Sequence, residues 1–361
     1  MADEKHEGKM ESEEEEEHVE PEVTYFANNG DLRLRVFEQT PEARPKIFIV
    51  SSHAMSLACD AWNSMLNGHF KESQASPPGE QREVALPDDD PTALKILLDI
   101  AHLRFKLVPA TLDFPVLLKV TVLTDKYDAT RLIRPWATSW INAAQHLVVR
   151  PGYEEWLWIA WELGQRHTFN NLTNHLVRTA RLEENGKCVT EKNRTLDPCG
   201  TTHQNLPPDI VESIMRVRQR VITNLLEIYY SALNQFAQKN MDGSTVCQGH
   251  KREMDKFREC DDMTYGSLLL SLQKVGLGLV RKDISTMTNS VNDLLVSLRT
   301  LSINVYHPPG IYDYSHVQCE NYGLDSRLWA AVDKVEKSIP SAVLDIHHRH
   351  LKRQAEKLGY S

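Results

Sequence analysis

The chain has 361 residues, 41% of them apolar and 25% charged, which is a globular composition with room for two domains. No apolar run approaches the roughly eighteen residues that a membrane-spanning helix needs. The first twenty residues are acidic where a secretory leader would be basic and then apolar, and six scattered cysteines make no disulfide framework. The expectation is an intracellular protein whose cysteines are thiols or metal ligands, with nucleus or cytoplasm unresolved.

The net charge of −9 is local. Residues 1–22 carry eleven acidic side chains, with five consecutive glutamates at Glu13 to Glu17, against Lys5 and Lys9 alone. The remainder is neutral, with 39 basic and 39 acidic residues. Residues 1–27 therefore read as a disordered acidic tail, because such a run cannot bury enough apolar surface to offset its ordering entropy. A neutral remainder argues against nucleic acid as a partner.

In chain order, Leu32, Leu34 and Val36 alternate with Arg33 and Arg35 as in a half-buried strand, and Ile47 to Val50 form a second, more apolar one. A turn over residues 38–45 joins them into a hairpin. Two short helices follow, the first capped by Ser52 with Ala54, Leu57 and Ala58 at helical spacing. The second is capped by Asp60, carries Trp62, Met65 and Leu66, and leaves through a left-handed Gly68. Residues 82–86 read as a third strand. Asp90 then caps a helix with Pro91 at its first position, and two more helices are expected over 115–127 and 129–142.

This order of motifs resembles the BTB/POZ family, in the version common in filamentous fungi. The resemblance rests on Gly30-Asp31-Leu32, on Ser51, Ser52, Leu57, Ala58, Trp62, Met65, Leu66, Gly68, Phe70 and Glu72, on Leu86-Pro87-Asp88-Asp89-Asp90-Pro91, and on Asp125-Lys126-Tyr127. It covers residues 28–143. It implies a small sheet capped by helices, used as a homodimerisation or adaptor surface without catalytic chemistry. The dimer face it implies is the first strand, with Leu32, Leu34 and Val36, and the first helix, with Met55 and Cys59. Phe70 and Glu72 also fit the hydrophobic-x-Glu pattern that adaptors of this family offer to the cullin three scaffold of ubiquitin ligases.

Beyond this region the pattern is helical. A helical pair is expected within 144–183, with Trp156, Trp158 and Trp161 as packing residues, and then a polar loop and domain boundary over 184–207. A helical C-terminal domain spans 208–361. Its longest helix repeats apolar residues from Ile210 through Ile214, Val217, Val221, Leu225 and Ile228 to Ala232. Further helices are expected near 264–279, 285–301, 324–337 and 340–358. Arg216, Arg218 and Arg220, and the cluster His347 to Arg353, read as solvated helix faces. The fold class is α+β, a BTB/POZ-like domain followed by a mostly helical one.

Cys247, Cys260, His316 and Cys319 supply four soft or borderline ligands, and His316 and Cys319 stand at the two-residue spacing that lets both reach one ion. They would close a tetrahedral structural zinc site; the alternative is packed thiols and a surface histidine. No nucleophile elbow, phosphate-binding glycine loop or zinc-protease helix is present in the sequence. Asp88 to Asp90 read as helix-start chemistry. The reading is a non-enzymatic interaction protein, either a homodimeric scaffold or transcription-associated regulator, or a substrate adaptor of a cullin three ubiquitin ligase. An enzyme within the C-terminal helices is the third and least favoured reading.

Overall fold

A computed structural model describes residues 22–37, 45–69, 81–196, 205–248, 257–281, 283–306 and 319–360. The fold is mixed α and β and mostly helical, with twelve α-helices, a four-stranded sheet and a two-stranded one among the described residues. The chain divides into two compact units, 1–109 with 126–132, and 110–125 with 133–361. The second unit thus takes in the helical pair expected within 144–183 together with the C-terminal helices.

In the first unit the sheet order is β1 (Val23–Tyr25), β3 (Lys46–Val50), β2 (Leu32–Val36), β4 (Arg82–Leu86). β2 runs antiparallel to β3 and parallel to β4, and β1 lies parallel to β3. In β2 the alternation holds: Leu32, Leu34 and Val36 are fully buried, while Arg33 and Arg35 face outward to Glu83 on β4 at 3.0 and 3.4 Å. β3 is flanked on both edges, and Ile47, Phe48, Ile49 and Val50 are all buried, which is why its run is apolar without interruption. β1 was not expected; it lies inside the stretch read as acidic tail, and its three residues carry too little pattern to announce a strand.

The helical pair is α1 (Ser52–Ala58) and α2 (Asp60–Asn67), with caps one residue earlier than the sequence suggested. Ser51 accepts the Ala54 N–H, and Cys59 occupies the cap of α2. Ser52 is instead engaged by Asp31, whose carboxylate accepts its backbone N–H at 2.7 Å and its hydroxyl at 2.5 Å. Burial works against that charge, but the Ser52 bonds hold the Asp31 carboxyl below its ordinary range. Gly68 leaves α2 at φ −85°, so no left-handed exit is used. Gly30 is required for another reason: a Cβ there would meet the Ile49 side chain at 2.6 Å and the Val50 carbonyl at 2.9 Å.

Asp90 caps α3 (Pro91–Ala101) by accepting from Thr92 and Ala93. Its neighbour Asp89 does something different. It is fully buried, and its two oxygens accept from Lys126 Nζ and the Tyr127 hydroxyl, each at 2.5 Å. Burial and the Asp89 charge push the Tyr127 hydroxyl far above its ordinary range, so it stays a donor. The Tyr127 ring lies 5.5 Å from that of Trp62 on α2, and its backbone carbonyl accepts from the Cys59 thiol at 3.0 Å. Asp88 to Asp90 are therefore not helix-start chemistry alone.

In the second unit, α4 (Phe114–Lys126, through Asp125), α5 (Arg134–Ala144), α6 (Trp156–Glu162) and α7 (Arg166–Thr179) precede a hairpin of β5 (Arg181–Leu182) and β6 (Cys188–Val189). Its first strand falls at the end of the stretch expected as a helical pair, and its second where a polar loop was expected. The spine is α8 (Ile210–Met241), 32 residues and roughly 48 Å at 1.5 Å per residue. Its buried stripe includes Val221, Leu225 and Leu226. These pack with Leu268 and Leu272 of α9 (Phe257–Lys274), with Leu294 and Leu298 of α10 (Val291–Arg299) and with Leu328 and Val332 of α11 (Leu324–Lys337). The stripe is wider than a coiled-coil seam because helices flank α8 on more than one side.

Two basic clusters read as solvated faces are partly interior. Arg218 is buried; its guanidinium donates to the carbonyls of Ala180 at 3.1 Å, Met287 at 2.7 Å and Asn289 at 2.5 Å. Arg216 and Arg220 are exposed, as expected. On α12 (Asp345–Leu358), His347 is fully buried. Its Nδ1 accepts the Leu344 N–H at 3.0 Å and its Nε2 donates to the Pro208 carbonyl at 2.8 Å, a pattern that requires the neutral ring. His350 stacks on Trp161 at 3.6 Å between centroids, and Gly164 permits the crossing of α12, since a Cβ there would sit 2.3 Å from the Ala355 nitrogen.

Candidate metal centre

Three of the four ligands expected from the sequence meet at one buried point. Cys260 stands in the first turn of α9, Cys247 follows the end of α8, and Cys319 lies five residues before α11. All three side chains are buried, and their sulfurs lie within 4.8 Å of one another. None is in a disulfide, and the Cys260 and Cys319 sulfurs are 3.9 Å apart. Zinc–thiolate bonds of about 2.3 Å in a tetrahedron place two sulfurs about 3.8 Å apart, so that pair stands at the spacing a shared ion would impose. Val305 is buried with the three cysteines, and Phe257 and Tyr306 pack against them, so the point is screened from water.

The buried setting favours the neutral form of the Cys260 thiol. Burial raises the Cys260 thiol above its ordinary range, opposed by a bond from Asn321, with Cys319 raising it further. A thiolate trio without a cation would be costly in such a place, and binding a divalent ion would displace the protons. These three cysteines form a cluster that could bind a metal. His316 lies outside the described residues, as does His250.

Two residues around the sulfurs were missed by the sequence reading. Asn321 is fully buried, and its Nδ2 donates to the Cys260 sulfur at 3.4 Å and to Asp261 Oδ1 at 2.7 Å. The buried Asp261 carboxylate also accepts the backbone N–H groups of Val246 at 2.6 Å and Cys247 at 2.9 Å. The available hint was proximity alone, Asp261 next to Cys260 and Asn321 two residues after Cys319.

Of the residues expected at a partner interface, five are described. Leu32, Leu34, Val36, Met55 and Cys59 are buried inside the first unit, so on the single chain they fill its core. A half-buried strand has one apolar face, and the sheet turns that face inward. Phe70 and Glu72 lie outside the described residues. Of the other cysteines, Cys188 is buried in β6, where burial pushes its thiol up to about 11. No helix among the described residues is long and apolar enough to cross a membrane. In comparisons with known proteins, no family model, no curated protein and no solved structure matches the chain.

Proposed function

We propose that the protein is a non-enzymatic protein–protein interaction module of the BTB/POZ kind, working as a homodimeric scaffold or transcription-associated regulator. The observation that carries this reading is the convergence at Asp89. Residues far apart in sequence that suggested the resemblance, Trp62, Asp89, Lys126 and Tyr127, touch one another inside the first unit. The succession of hairpin, helical pair, parallel strand and helix agrees with the helix-capped sheet that the resemblance implies. Of the first helix, assigned by the resemblance to the dimer face, Leu57 is an apolar residue that a second copy can reach, being 75% exposed. Light scattering on the full chain should give twice the chain mass, falling to the chain mass in Leu57→Glu. A protein that stays at the single-chain mass at every accessible concentration refutes the homodimer. Tight binding of the cullin three amino-terminal domain, lost in Glu72→Ala, would replace the scaffold reading by the adaptor one.

The C-terminal unit carries a structural zinc on Cys247, Cys260 and Cys319, with His316 closing the set. The sulfur spacing supports the three thiolates. Chain reach supports the histidine, since three residues span at most about 11 Å and His316 stands three before Cys319. A closed ligand set of this kind braces structure and leaves no open position for chemistry. Elemental analysis should find one zinc per chain, and Cys319→Ala should lose it and melt earlier; full zinc content in that variant refutes the assignment.

A further inference from the structure

We infer that Asn321 and Asp261 are positioning residues of the metal centre, holding the sulfur ligands in place before the ion arrives. The inference rests on the zinc reading above and extends it beyond the ligands. The stretch after α8, the first turn of α9 and the stretch before α11 must bring one thiol each to a common point, and Cys247 has no helix of its own to fix it. Asp261 supplies that support. Its two oxygens grip the consecutive N–H groups of Val246 and Cys247, so the backbone of the Cys247 loop is fastened to the first turn of α9, next to Cys260.

Asn321 ties in the third connection. Its one amide nitrogen serves two acceptors, the Cys260 sulfur and the Asp261 carboxylate, from a position two residues after Cys319. The amide orientation is fixed by this chemistry, since turning its oxygen toward the Asp261 carboxylate would set acceptor against acceptor. The cost is visible: Asn321 Oδ1 is buried with no hydrogen-bond partner. A buried orphan acceptor is costly, so a fully buried asparagine at this position needs a compensating role. An N–H donor to sulfur supplies one. It stabilises the thiolate over the thiol, and hydrogen bonds of this outer kind orient metal ligands and raise metal affinity.

The test uses the full chain, zinc competition against a chromogenic chelator, and cobalt(II) as a spectroscopic substitute. The parent should bind one ion per chain and show sulfur-to-cobalt charge transfer. Asn321→Leu should keep one ion per chain but bind zinc roughly ten- to a hundredfold more weakly, with the charge-transfer band moved to lower energy because the sulfur has lost its N–H donor. Asp261→Asn preserves shape and serves if Asn321→Leu fails to fold; it should also weaken zinc binding, with its circular dichroism unchanged. Parent-like affinity and band position in a folded variant overturn the positioning role while leaving the zinc site intact. A parent chain that binds no metal overturns both.

Discussion

Replacing Asp89 by alanine would remove the acceptor shared by Lys126 and Tyr127 in the interior of the first unit. Lys126 keeps about two-fifths of its side chain in water and can be rehydrated, whereas the Tyr127 hydroxyl is buried and would be left without an acceptor for its proton. Breaking a buried charge pair by removing one partner costs about 3–5 kcal/mol, and the exposure of Lys126 sets the expected loss near the lower end, at about 3 kcal/mol. At about 1.4 kcal/mol per tenfold, the opening equilibrium of this unit should rise on the order of a hundredfold. Amide hydrogen exchange resolved by peptide reads this directly, because protection in a cooperative unit tracks its own opening free energy. Peptides over β2 and β3 should lose about two decades of protection while those over α8 keep theirs. Tyr127→Phe should lose about one decade, and the double variant should fall short of the sum because both changes act on one contact. A less than threefold change over β2 and β3, or equal losses in both units, would refute this account of Asp89.

Arg218→Met should destabilise the second unit by about 3 kcal/mol in denaturant titration, since three carbonyls would lose their donor; a change within error would place those carbonyls in water. Gly164→Ala should raise hydrogen exchange over α12 specifically, because the left-handed φ of +63° and the 2.3 Å approach to Ala355 nitrogen leave a Cβ no room; unchanged exchange there would contradict the crossing geometry. Stability should also fall in acid. Burial, with Arg353, Lys357 and His347 adding, pushes the His350 ring down to about 4, below its ordinary 6.5. A folded value below the unfolded one means stability that is complete above about pH 6.5 and lost as pH falls toward 4. Solvent screening of the half-buried ring reduces the effect to about 1 kcal/mol. The buried His347 shifts in the same direction. The melting temperature should decline over that interval, and less steeply in His350→Phe; an identical pH dependence in the variant would exclude His350 as a source.

Local order was legible in the sequence wherever a repeat or a stop residue governs the backbone. The alternation of Leu32, Leu34 and Val36, the apolar run of β3, the Asp90-Pro91 start of α3 and the apolar ladder of α8 each dictate an element through side-chain periodicity or restricted dihedrals, which act over a few neighbours. The convergence of Cys247, Cys260 and Cys319 was legible too, because few residue types bind soft metals and these were singled out on that ground. Tertiary structure alone decided which polar groups lie inside. Asp89, Arg218 and His347 sit in sequence contexts that suit an exposed helix face or helix start, and each is buried because partners far along the chain complete its hydrogen bonds. Asn321 and Asp261 follow the same rule around Cys260. Burial of a polar group depends on whether distant donors and acceptors arrive to replace water, and no spacing within the sequence encodes that arrival. The inward placement of Leu32, Leu34, Val36, Met55 and Cys59 was likewise set by the sheet, whose pleat turns the single apolar face of β2 toward the core.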